Sequence, residues 1–210
     1  MPALELGVLV SGRGSNLQAI LDAIAAGSLK SHVRVVVSNQ SDAYALERAA
    51  GAGVPTHVIR HRDYAERTAF DQALVQTLVD HGVNWVVLAG FMRVLTPTFL
   101  RAFPDRVVNI HPALLPAFPG VHAQRQALSY GVKITGCTVH FVDEGVDSGP
   151  IIVQRAIPVL DGDDESTLGA RLLVEEHRAL VDALALLEEG RIRIQRPTDG
   201  GRARVVRAET

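Results

Sequence analysis

Short runs of β-branched and aliphatic residues recur along the first half of the chain, each separated from the next by a longer segment with helical spacing. They fall at residues 4–10, 33–38, 56–59, 85–89 and 107–110. Each run is too short for a stable helix and apolar enough to be a strand buried on both faces. In the intervening stretch 15–26, Leu17, Ile20, Leu21 and Ile24 form a helical stripe; residues 42–52 and 63–80 are patterned similarly, with Gly82 as a stop. Strand and helix alternating in this way predict an α/β fold, Rossmann-like, with a mostly parallel sheet flanked by helices. Ligand-binding groups in such a fold collect beyond the carboxyl ends of the strands.

A chain of 210 residues accommodates one core of this kind and would be cramped as two. The expectation is a single domain over residues 1–210, with 190–210 as a basic C-terminal tail without assigned chemistry. Apolar and charged fractions of 47% and 21% are those of a globular protein, which argues against disorder. The net charge of −2 is spread along the chain, so no basic field is available to a nucleic-acid backbone, and no nucleic-acid partner is expected. Cys137 is the one cysteine and cannot form an intrachain disulfide, which points to a reducing compartment and a cytoplasmic location. The opening MPALELGVLVSGRGSN does not read as a signal peptide, and no apolar run approaches a membrane span. No membrane partner is expected, small molecules are the partners to look for in a fold with sites at its strand ends, and monomer and homodimer both stay open.

Beyond residue 110 the texture changes. HPALLPAFPG holds three prolines and a glycine in ten residues, too irregular for a helix or a central strand. A short helical patch at 123–130, a strand at 136–142, the turn-rich DEGVDSG and a strand at 150–159 follow. Residues 165–189 then read as one long helix with Leu168, Leu172, Leu173, Leu180, Leu184 and Leu187 as core candidates.

The first strand ends in SGRGSN. Two readings fit it: an anion site, in which Gly14, Ser15 and Asn16 present amides and side-chain donors to a monophosphate at a helix N-terminus, or a tight turn capped by Ser15. It is neither a dinucleotide fingerprint, because Leu17 stands at the third glycine position, nor a lysine-bearing phosphate loop.

Asn109 and His111 alternate at the end of the fifth run and so share one face. An amide N–H and an imidazole N–H aimed at one oxygen would stabilise charge developing on a carbonyl under attack, and histidine can also carry a proton. Asp147 lies in DEGVDSG, where Gly145 and Gly149 are expected to permit unusual backbone angles and bring the carboxylate to His111, raising its pKa. His140 alternates with Thr138 and is placed to support the cluster. A merely structural histidine, a two-histidine, one-carboxylate metal site, and Cys137 as nucleophile are the competing readings. No compact ligand spacing favours metal, and Cys137 sits in an apolar strand that suits an inert thiol.

SGRGSNLQAI, WVVLAGFMRVL, VVNIHPALLPAFPG, GCTVHFVDEGVDSGPII and the late EEH closely resemble the phosphoribosylglycinamide formyltransferase family, over nearly the whole chain. The resemblance implies a formyltransferase fold and transfer of the formyl group of 10-formyltetrahydrofolate, without a metal, to the amine of glycinamide ribonucleotide in purine biosynthesis. It further implies that Asn109 and His111 contact the transferring formyl group, that Asp147 raises the pKa of His111, and that Gly14, Ser15 and Asn16 hold the substrate phosphate. Arg67 and Met92, Arg93, Val94 and Leu95 match positions associated with the folate, and Glu176 one that contacts ribose hydroxyls. Taken without the resemblance, Arg67 and Glu176 also read as solvated helix charges, and Met92 and Leu95 as core packing. The proline loop departs from the family in lacking a basic residue near Ala117, and Arg13 has no role to inherit. Methionyl-tRNA formyltransferase and formyltetrahydrofolate hydrolase share the NIHP region but usually carry an additional domain. A catalytically silent protein using SGRGSN as a phosphate sensor is the rival from another class.

Overall fold

The structure is a computed structural model and describes residues 3–208. The four terminal residues of the expected 1–210 domain, two of them in the tail, lie outside the described residues. The contacts divide the chain into two compact units, one ending at Asn109 and the other starting at Ile110.

The first unit runs β1 (Glu5–Val10), α1 (Ser15–Ala25), β2 (His32–Ser38), α2 (Tyr44–Gly51), β3 (Thr56–Val58), a 3-10 turn (His61–Asp63), α3 (Arg67–Asp80), β4 (Trp85–Leu88), α4 (Pro97–Ala102) and most of β5 (Val107–His111). Its strands are ordered β3-β2-β1-β4-β5, and each pairing between them is parallel. Four of the five apolar runs are buried for the reason anticipated: Val8, Leu9, Val36, Val37, Val86, Val87 and Val108 are inaccessible to solvent, as strands covered on both faces require.

Two expectations are corrected in this unit, and one element is added to them. The run at 56–59 is not a buried strand: β3 has three exposed residues and lies at the sheet edge with β2 as its neighbour. The helix read from residue 63 begins at Arg67, because Tyr64 is extended and packs edge-on against Phe70, as does His61. Helix α4 was not anticipated. Its six residues are too few to show a period, although Pro97 at its first turn is a local signature. The buried Asp71 carboxylate holds its entry by accepting the Thr96 amide at 2.6 Å.

The second unit holds α5 (Ala123–Tyr130), β6 (Ile134–Phe141), β7 (Ile151–Pro158), α6 (Glu165–Glu188), β8 (Ile192–Gln195) and β9 (Arg204–Arg207). Antiparallel β6 and β7 pair from Ile134↔Pro158 to His140↔Ile151, and α6 packs on both. Leu168, Leu172, Leu180, Leu184 and Leu187 of α6 are buried, with Ala179 and Ala183 filling the stripe; Leu173 is only half-buried and lies beside the stripe. Asp164 and Thr167 close a reciprocal capping box at its start. The tail contains a hairpin, β8 with β9. The sheet has seven strands, β1 to β7, mostly parallel and flanked by helices, an α/β fold as the alternation predicts. Among the described residues no helix is long and apolar enough to cross a membrane.

Candidate active site

Within the first unit, the glycine loop lies beyond the carboxyl end of β1. Gly14, in a left-handed conformation with φ of 70°, is the N-cap of α1, so the cap is not Ser15. A glycine cap has no side-chain acceptor, and the first-turn amides are directed outward along the helix axis, where an anion can take them. Gly14 is also required by space: a Cβ there would lie 2.5 Å from the Ala45 Cβ. Two backbone anchors hold the loop, the Ala45 amide on the Gly12 carbonyl at 3.1 Å and Arg48 Nε on the Arg13 carbonyl at 2.9 Å. Ser11 Oγ donates to Asn39 at 2.7 Å and accepts the Met92 amide at 2.9 Å. A cleft of about 210 Å³ is lined by residues 11–16 with Ala89, Gly90 and Met92.

The histidine cluster belongs to the second unit. His111, the last residue of β5, is 4% exposed. Its Nδ1 faces Asp147 Oδ2 at 3.2 Å and its Nε2 faces the Phe118 carbonyl at 2.8 Å. Asp147 Oδ2 also accepts the Gly120 amide at 2.7 Å, while Oδ1 faces His140 Nε2 at 3.5 Å. His140 is buried on β6, with Nδ1 donating to the Phe141 carbonyl at 2.8 Å. Asn109 precedes His111 by two residues on β5 and is half-buried.

The turn that delivers Asp147 works differently from the expectation. Neither Gly145 nor Gly149 has a positive φ; Asp147 itself does, at 51°. The glycines are needed for room instead: a Cβ on Gly149 would lie 1.8 Å from the Phe141 carbonyl oxygen, closer than any side chain can come. Asp143 secures the other side of the turn by accepting the Gly145 amide and the Ser148 hydroxyl.

Asp147 raises the His111 pKa as expected, but the net shift is set by burial, which the sequence reading did not weigh. Burial disfavours the imidazolium and is the largest influence; Asp147 and the Phe118 carbonyl push the other way but do not overcome it. The net pKa is lowered. Burial pushes Asp147 upward, yet the hydrogen bonds from His140 and Gly120 and the His111 charge outweigh it and hold the carboxyl below its ordinary value.

Arg67 reaches the Val94 carbonyl at 2.7 Å, so the structure brings Arg67 to the stretch Met92, Arg93, Val94 and Leu95. Within that stretch Leu95 is core, whereas Met92 is 70% exposed and therefore not packing. Glu176 is buried on α6, which removes its reading as a solvated charge. Burial, then Glu176, pushes the Cys137 thiol up to about 12, so almost none of it is thiolate near neutral pH. No group of three or more His, Cys, Asp and Glu side chains placed to hold a metal occurs among the described residues.

The sequence reading missed the groups that shape the proline loop. Thr138 Oγ1 donates to the Ala113 carbonyl and accepts the Leu115 amide, and Gln154 Nε2 donates to the Leu115 carbonyl. Thr138 and Gln154 are direct cross-strand partners, so the hairpin register was the signal that could have found them.

The formyl transferase family profile matches residues 5–184. The trifunctional purine biosynthetic protein adenosine-3 of Drosophila pseudoobscura pseudoobscura is 50% identical over 91% of this chain, and the chain spans only 14% of that relative's length. The phosphoribosylglycinamide formyltransferase of Escherichia coli is 42% identical, with 91% of this chain and 90% of that protein covered. Among solved structures, glycinamide ribonucleotide transformylase 1 from Symbiobacterium toebii superposes with a TM-score of 0.94 at 52% identity, covering 99% of this chain and 95% of that one. By a family match over most of its length and a relative matched almost end to end, this chain belongs to the formyl transferase family.

Proposed function

We propose that the chain transfers the formyl group of 10-formyltetrahydrofolate to the amine of N1-(5-phosphoribosyl)glycinamide, in de novo purine (IMP) biosynthesis in the cytoplasm. The observation that carries this reading is the buried His111 held by Asp147 at 3.2 Å, in a chain that matches a phosphoribosylglycinamide formyltransferase over 90% of that protein.

In this reading the glycinamide amine attacks the formyl carbon directly. The carbonyl π electrons move to oxygen, giving a tetrahedral oxyanion that Asn109 and His111 stabilise with N–H donors. The attacking nitrogen loses a proton, the folate N10 gains one as the C–N10 bond breaks, and the carbonyl re-forms on the product. A lowered His111 pKa suits this traffic, since the protonated ring gives up its proton readily while Asp147 supports the charged form when it appears. For His111 Nε2 to serve the substrate, the Phe118 carbonyl must yield its place. His140 fixes the second oxygen of Asp147. Gly14, Ser15 and Asn16 hold the phosphate, Glu176 the ribose hydroxyls, and Arg67 with residues 92–95 the folate.

The test is steady-state formyl transfer from 10-formyltetrahydrofolate with glycinamide ribonucleotide, methionyl-tRNA or water as acceptor. Turnover is expected with the ribonucleotide, and His111→Ala or Asp147→Asn should lower kcat by about a hundredfold or more in folded protein. Preference for another acceptor, or near-normal kcat in both variants, would overturn the proposal.

A further inference from the structure

Two histidines outside the candidate active site face each other on the first unit. His57 is the middle residue of the edge strand β3, and His81 is the C-cap of α3. Their Nε2 atoms are 3.3 Å apart, with the rings edge to face at 75°. His81 Nδ1 lies 2.7 Å from the Thr77 carbonyl. A carbonyl only accepts, so Nδ1 carries the proton and the neutral ring presents its Nε2 lone pair toward His57. A ring nitrogen donating to a backbone carbonyl is how proteins orient the other nitrogen toward a metal.

With the His81 lone pair as acceptor, His57 donates its Nε2 proton across the 3.3 Å gap when no ion is present. The same separation is what an ion needs: two imidazole nitrogens bound at about 2.0–2.1 Å to one tetrahedral ion stand about 3.3–3.4 Å apart, so loss of that one proton would let both rings ligate without moving the backbone.

We propose that His57 and His81 form a two-imidazole site for a divalent transition-metal ion of the zinc, nickel or copper class, completed by water. Imidazole suits these ions, whereas magnesium and calcium favour oxygen ligands. His57 is exposed and His81 half-buried, so a hydrated ion can reach the pair without rearranging the core. No third His, Cys, Asp or Glu joins the two among the described residues, which makes this an exchangeable accessory site, not a closed structural one. It does not depend on the formyl-transfer reading.

Zinc titration calorimetry on the chelator-treated full chain tests the proposal, using His57→Ala, His81→Ala and, as a control at another exposed histidine, His32→Ala. One zinc equivalent is expected in the wild type and the control, weakened at least about tenfold in either site variant. Circular dichroism checks that the variants stay folded. In a second measurement, substoichiometric copper should broaden the imidazole NMR signals of His57 and His81 before that of His32. Absence of saturable zinc uptake by the wild-type chain, uptake unchanged in the double variant, or broadening that begins elsewhere overturns the site.

Discussion

His111 sits between two acceptors, Asp147 on one ring nitrogen and the Phe118 carbonyl on the other, in a place too dry for imidazolium to be favoured. Residue identity and spacing nominate this histidine, but they cannot say which influence on its proton is larger. Sequence reasoning counts charges, and desolvation depends on what covers the ring. The same limit applies at Asp147, where the left-handed residue is the aspartate and the glycines on either side answer to close approach. At Gly14 both demands coincide, and they can be separated. Gly14→Ala forces a side chain into a left-handed position and against Ala45, and should lower stability by about 1–3 kcal/mol more than Gly27→Ala, which has a similar φ but open space around it. Chemical denaturation of the two variants decides: equal losses would mean that Ala45 simply moves aside.

At the scale of elements, α6 illustrates what holds a helix in place. Its capping box aligns the first turn, but its buried leucine and alanine stripe against β6 and β7 is the larger contribution, because helix stability in a protein comes mostly from packing an apolar face. Leu180→Ala should lower stability by about 2–5 kcal/mol. Asp164→Ala, at the exposed cap, should shift the denaturation midpoint by clearly less; the opposite order would show that the cap governs the helix. The long helix was legible because its period repeats over many residues, whereas α4 and the β8–β9 hairpin were too short for any period to emerge. The antiparallel β6–β7 pair was legible as two strands, but not the use of its register to place Thr138 and Gln154 under the proline loop.

For the molecule as a whole, the shifted groups imply a direction for stability against pH. The unfolded chain binds a proton at His111 near the ordinary value of 6.5, whereas the folded chain resists it, so stability falls as pH drops through that region. Asp147, held below its ordinary value of 3.8, contributes stability that is present above that value and lost as pH falls through its folded pKa. The two effects run the same way, so the thermal midpoint should decline from about pH 7 to about pH 5 and again in stronger acid. In His111→Gln the first decline should be shallower; identical profiles for variant and wild type would remove His111 as its source. By itself the sequence determined the alternation of strand and helix, the strand end that carries Asn109 and His111, and the glycine loop after β1, because these are local patterns of burial and turn chemistry. The approach of Asp147 to His111 was expected from the DEGVDSG turn, and the structure closes it to 3.2 Å. Only the tertiary structure decided that His140 takes the other Asp147 oxygen, that Gly14 and not Ser15 caps α1, that Glu176 is buried, and that His57 meets His81. The contacts and the burial depend on atoms far apart in the chain coming within bonding or van der Waals distance, which no local period encodes, and Gly14 takes the cap because its left-handed backbone fits under Ala45.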